Sequence, residues 1–143
     1  MRKAVLPGLA LVLVMTAVVS ADAAPARERP PQTSDQSTIS FDNWLAAKTK
    51  AADYDKAGKY VEALQYYLEY TRQAQGLGRP DLVAWGKNNA AYMIIKRHKL
   101  DGTVNLVPAK KLLEEALAVG AASDECKKCV ELNLEYIRLF LKD

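Results

Sequence analysis

The 143-residue sequence predicts an all-α fold of antiparallel helix pairs, about five helices in all, and three observations carry that expectation. Half of the chain is apolar, with Ala and Leu its commonest apolar residues, which suits a small helical core better than a sandwich or a disordered chain. From Ser40 onward apolar residues recur at spacings of three and four, the period of a helix with a buried stripe. Glycines and prolines interrupt that period at short intervals, as helix ends do. The length leaves room for one domain with a tail. A net charge of +3 gives no strong electrostatic reason to bind nucleic acid. The densest basic run, Lys96-Arg97-His98-Lys99, reads as a solvated helix end, where cations are favoured; an anion-binding patch is the alternative.

The first residues read as an address. Met1-Arg2-Lys3 is charged, Ala4 to Val19 is apolar apart from Gly8 and Thr16, and Ser20-Ala21-Asp22-Ala23 ends in the small-x-small pattern of a signal-peptidase site. Cleavage after Ala23 is expected, because the apolar run falls short of the ~20 residues that span a bilayer. An uncleaved anchor is the alternative. The residue after the cut is Ala24 and not cysteine, so a lipid anchor is not expected. Removing Arg2, Lys3 and Asp22 leaves 18 basic against 16 acidic residues, and the mature chain would work, without a membrane span, in the periplasm or outside the cell. Residues 24–39 contain Pro25, Pro30 and Pro31 and little to bury, so they read as a disordered proline-rich leader. The helical domain is then 40–143.

Ser40 or Asp42 can cap helix 1, whose Phe41, Trp44, Leu45, Ala47, Ala51 and Tyr54 lie on or beside one stripe; it runs to about Ala57. Gly58 suits a left-handed turn. Helix 2 starts near Tyr60 and ends near Gly76 to Gly78, with Tyr60, Ala63, Leu64, Tyr67 and Thr71 on one face and Gln65, Glu69, Arg72 and Gln73 mostly off it. So short a turn folds the two helices back on each other. Pro80 precedes helix 3, Leu82 to about Arg97, and an Asp101-Gly102 turn interrupts the loop that follows. Pro108 opens helix 4, which buries Ala109, Leu112, Leu113, Ala116 and Leu117 and stops at Gly120. Ser123 or Asp124 caps helix 5, which runs to the end.

The stretch "AADYDKAGKYVEALQYY" resembles the tetratricopeptide repeat, a pair of antiparallel helices with small residues at the crossings and aromatic residues beside them. In that resemblance Ala51 is the small position of the first helix, Tyr54 its aromatic and Gly58 the turn. Tyr60 is the aromatic that follows, Ala63 the small crossing position of the second helix and Tyr67 its aromatic. Lys50 and Tyr70 depart from the pattern, standing where it prefers leucine and alanine. A second copy shows in "AKKLLEEAL", with Ala109 and Ala116 at small positions and Leu113 at the aromatic one. Its first helix registers on Trp85 and Tyr92 or on Ala91 and Ile94; the second choice puts alanine at the crossing. Helix 5 would be half of a third unit, matched by Val130 and Leu134, giving about two and a half repeats stacked as a short solenoid.

The resemblance implies a protein that binds a peptide or partner protein, without turnover or cofactor, in a groove between helices 1 and 3. Lys48 and Ala52 occupy groove-facing places. Relatives that clasp a terminal carboxylate carry lysine where Lys48 stands, but need asparagine where Ala52 stands, so that activity is not carried over. Tyr66 and Tyr70 sit to the side of the Ala63 face, where they either pack on helix 3 or form a recognition surface. Helix 5 is apolar on more than one face, with Leu132, Tyr136, Leu139 and Phe140 broadening the stripe of Val130, Leu134, Ile137 and Leu141; Leu139 and Phe140 are therefore candidate contacts for a partner or a homodimer.

Cys126 and Cys129 offer the sharpest chemistry. In an oxidising compartment they read most simply as a structural disulfide. The alternative is an exchange-active or redox-linked pair whose thiolate gains from the helix N-terminus, Lys127 and Lys128. Val130 stands where haem attachment needs histidine, and His98, the chain's one histidine, cannot complete a zinc set. No nucleophile elbow or phosphate loop is present, and the adjacent Glu114 and Glu115 read as solvated charges.

Overall fold

A computed structural model of the chain describes residues 38–141. Over that range the fold is all-helical, with α1 (Phe41–Lys56), α2 (Tyr60–Gly76), α3 (Pro80–Leu100), α4 (Val107–Ala118) and α5 (Asp124–Arg138) and no strand. The expected signal peptide at 1–23 and the leader residues 24–37 lie outside the described residues.

Helix ends have local causes. Ser40 Oγ accepts from the Asn43 amide at 3.1 Å, so Ser40 is the cap, and Asp42 lies in the first turn, where a carboxylate complements the helix dipole. Gly58 and Gly78 adopt φ of +71° and +67°. Both turns are the same hydrogen-bonded stop: Lys59 N donates to Tyr54 O at 2.9 Å in one, and Arg79 N to Ala74 O at 3.0 Å in the other. Only glycine holds that conformation at low cost. Ser123 Oγ accepts from Cys126 N at 3.2 Å and caps α5.

Three boundaries differ from expectation. Thr38 and Ile39, read as leader, belong to the fold: Thr38 O accepts from Asn43 Nδ2 at 2.7 Å and from Gln73 Nε2 at 3.1 Å, and Ile39 packs over Gly76. Next, α3 extends past Arg97 to Leu100, because His98 is buried against Tyr136, its Nδ1 2.9 Å from the hydroxyl. Finally, α5 stops at Arg138 and the chain leaves it through a tight turn at Leu139 and Phe140.

The antiparallel hairpins stack with α3 at the centre, packed against α2, α4 and α5, while α1 covers the other side of α2. Small residues set the crossings. Ala51, Ala63, Ala90, Ala91, Ala109 and Ala116 are fully buried, and at Gly86 of α3 an added Cβ would lie 2.6 Å from Tyr70 Cδ1 and against Thr71 Oγ1. Helices approach closely only where no side chain stands between them.

The core changes character along the stack. Between α1, α2 and α3 it is aromatic and alanine-rich, one cluster holding Trp44, Ala47, Tyr70, Ala74 and Val83 and the next Tyr66, Tyr67, Ala63, Ala90 and Met93. Beyond α3 it is aliphatic, with Ile94, Ile95, Leu106, Leu113, Val130 and Ile137. Each such buried side chain contributes roughly 1.5–3 kcal/mol of hydrophobic stabilisation. Phe41 and Leu45, expected on the α1 stripe, are exposed, and so is Leu117 of α4, because nothing in the described chain lies beyond those faces.

Candidate functional site

Tyr66, Tyr67 and Tyr70 of α2 are packing residues. Tyr66 and Tyr70 are buried and line no surface: Tyr66 stacks on Tyr54 at 5.5 Å and Tyr70 tilts against Trp44 at 5.2 Å. Of the two expectations for this pair, packing on α3 is the one the structure places, since Tyr66 meets Ala90 and Met93, and Tyr70 meets Val83 and Gly86. Burial pushes the Tyr70 hydroxyl up to about 12 and raises Tyr67 as well, with Asp55 adding to the rise at Tyr67. The buried Trp44 Nε1–H lies beside Tyr70 and acts against the rise there without making a well-formed hydrogen bond to any described residue.

Lysines cover the edges of these rings. Lys50 lies over Tyr66 and Lys59 over Tyr54, while Lys96 sits 4.8 Å from the Tyr92 centroid and 5.5 Å from that of Tyr60. Lys96 also donates to Asp55 at 2.6 Å, tying α3 to α1. The run from Lys96 to Lys99 is therefore no solvated helix end: Lys96 clamps two helices, His98 is core, and Lys99 alone of the run is well exposed, over Tyr92 and Tyr136. Similarly, Glu115 pairs with Lys87 across α3 and α4, which holds its carboxyl below the usual range, while Glu114 faces solvent.

Gln73 was legible only as an off-face residue, yet it is fully buried. Its Oε1 accepts from Ser40 N at 2.9 Å and its Nε2 donates to Thr38 O and Glu69 Oε1, so one amide satisfies the backbone entering α1. Asn88 and Asn133 do comparable work between α3 and α5, joined at 3.0 Å. Neither carries a sequence signal beyond being polar.

Cys126 and Cys129 are separate thiols here, Cys126 fully buried and Cys129 half-buried. Burial pushes the Cys126 thiol up, opposite to the lowering expected from the helix N-terminus and its lysines, and the Cys129 charge adds to the rise. An exchange-active pair needs an accessible thiolate. Here the sulfur nearest the helix start is the inaccessible one.

The other candidates divide. Lys48 is exposed, 5.4 Å over the Trp44 ring, and Ala52 one turn on is half-buried; together they leave a narrow accessible strip on α1. Leu139 and Phe140 are 75% and 52% exposed, and Leu132, missed as a contact residue, is 65% exposed. Phe140 is held in place from beneath by the His98 ring at 4.6 Å and the Tyr136 ring at 5.0 Å. Among the described residues no cluster of three His, Cys, Asp or Glu side chains could hold a metal, and no helix is long and apolar enough to cross a membrane. Compared with known protein families, curated proteins and solved structures, the chain matches none.

Proposed function

We propose that the protein is an exported, non-enzymatic protein-protein interaction module of tetratricopeptide-like design that works in the cell envelope or outside the cell. One observation carries this reading: Leu132 on α5 and Leu139 and Phe140 in the turn that follows it are each more than half exposed within nine residues of chain. Grouped exposed apolar residues mark contact surfaces. The fully buried alanines at 51, 63, 91, 109 and 116 support the repeat-like design. Lys48 and Ala52 on α1 offer a second contact strip for a peptide or partner protein. The thiol-disulfide alternative has less support, because Cys126 is buried and its thiol pushed up.

Site-specific photo-crosslinking tests this. A crosslinker at Phe140 or Lys48 should capture a defined protein partner in cells that make the protein, and one at exposed Glu114 should not. Equal, diffuse labelling from all three positions would remove the reading.

A further inference from the structure

The outer face of α5 carries charges in an order that suits pairing with another α5 running the opposite way. Lys128, Glu131, Leu132, Glu135 and Arg138 line a shallow depression of about 680 Å³ along this face. Among the described residues none of the four charged side chains has an ion-pair partner; the ion pair on α5 joins Lys127 and Asp124 instead. At their centre stands Leu132, 65% exposed.

Lys128 and Glu135 are seven residues apart, two helical turns, and so share one stripe with Leu132 between them. Glu131 and Arg138 repeat that spacing on the adjoining stripe with the signs exchanged. A parallel second helix would set Lys128 on Lys128 and Glu135 on Glu135. An antiparallel one sets Lys128 on Glu135 twice and brings Leu132 near its own copy at the two-fold axis; in that register Arg138 comes level with Glu125 of the other copy and not with its Glu131. Lys128 and Glu135, unpaired within the described chain, become complementary under that operation around the exposed Leu132.

We propose that α5 is a self-association surface, on which a second copy of this chain docks antiparallel with Lys128 opposite Glu135 of the other copy. The inference rests on the reading of α5 as a contact surface and names its occupant. One helix face buries little area, so the dimer is reversible and of micromolar strength.

Sedimentation equilibrium on the purified protein tests it. The wild type should dimerise as its concentration rises to about 100 µM, where a micromolar Kd is saturated. Lys128→Glu and Glu135→Lys should each weaken association about tenfold, by placing like charges across the axis twice. The double variant, which restores the opposite signs, should recover to within about twofold of wild type. Leu132→Asp should be monomeric with unchanged helix content and melting, since Leu132 does not support the monomer's core. A monomeric wild type, or a double variant as weak as the single ones, overturns the proposal. A monomer that still crosslinks a different protein through Phe140 removes the second copy and keeps the binding function; a dimer with no foreign crosslink does the reverse.

Discussion

Helices α2 and α5 are both apolar well beyond one stripe, and they meet opposite fates. In α2, Tyr66, Tyr67 and Tyr70 are all buried, because α1 covers one side and α3 the other. In α5, Val130 and Ile137 are buried against α3 and α4, while Leu132, and Leu139 in the turn after the helix, are exposed. The difference lies in position. Among the described residues α1 and α3 pack on α2 along much of its length, whereas α3 and α4 meet α5 over far less of it, so the same breadth of apolar surface is core in one place and left exposed in the other.

The comparison breaks most readily through Tyr66 and Leu132. Tyr66→Ala should cost about 3–5 kcal/mol in thermal or denaturant unfolding, since it empties a buried aromatic site, whereas Leu132→Ala in dilute protein should cost about 0.5 kcal/mol or less. Similar losses would mean the two faces are equally covered.

Alkaline titration sharpens the α2 side. Tyr70 titrates near 12 in the folded chain against 10.0 ordinarily, so the folded state favours its neutral form. Its contribution is complete below pH 10 and fades as pH rises from 10 to 12, a loss of roughly 2–3 kcal/mol that Tyr70→Phe should abolish. Tyr67, raised in the same direction, leaves a smaller residual slope in that variant.

A smaller loss is expected at the α2–α3 crossing. Gly86→Ala gains about 1 kcal/mol in helix propensity but drives a methyl into Tyr70 and Thr71, which costs about 1–3 kcal/mol. A net loss of about 1 kcal/mol follows, or some 4–8 °C in Tm. Gly102→Ala, whose Cβ meets nothing within 4 Å, should leave Tm unchanged.

Helix ends were legible in the sequence because their causes are local. Ser40, Gly58, Gly78, Pro80, Gly120 and Ser123 each act on backbone within a turn of themselves. Small residues at helical spacing could be read as well, and Ala51, Ala63, Ala91, Ala109 and Ala116 are fully buried. What could not be read is cover, which depends on residues far along the chain. His98 looked like loop because Tyr136 and Phe140, the rings that bury it, come some 40 residues later. Gln73 looked like surface because the backbone it satisfies enters from Thr38 and Ser40. For the same reason the sequence left Tyr66 and Tyr70 open between packing and recognition, and it hid the burial that raises the Cys126 thiol.

Hydroxyl-radical footprinting of dilute protein, comparing Phe140 and Leu132 with Tyr66 and Tyr70, measures cover side chain by side chain. Normalised for intrinsic reactivity, Phe140 and Leu132 should oxidise rapidly and the two tyrosines slowly. Comparable rates at all four, or protection confined to α5, would contradict the account.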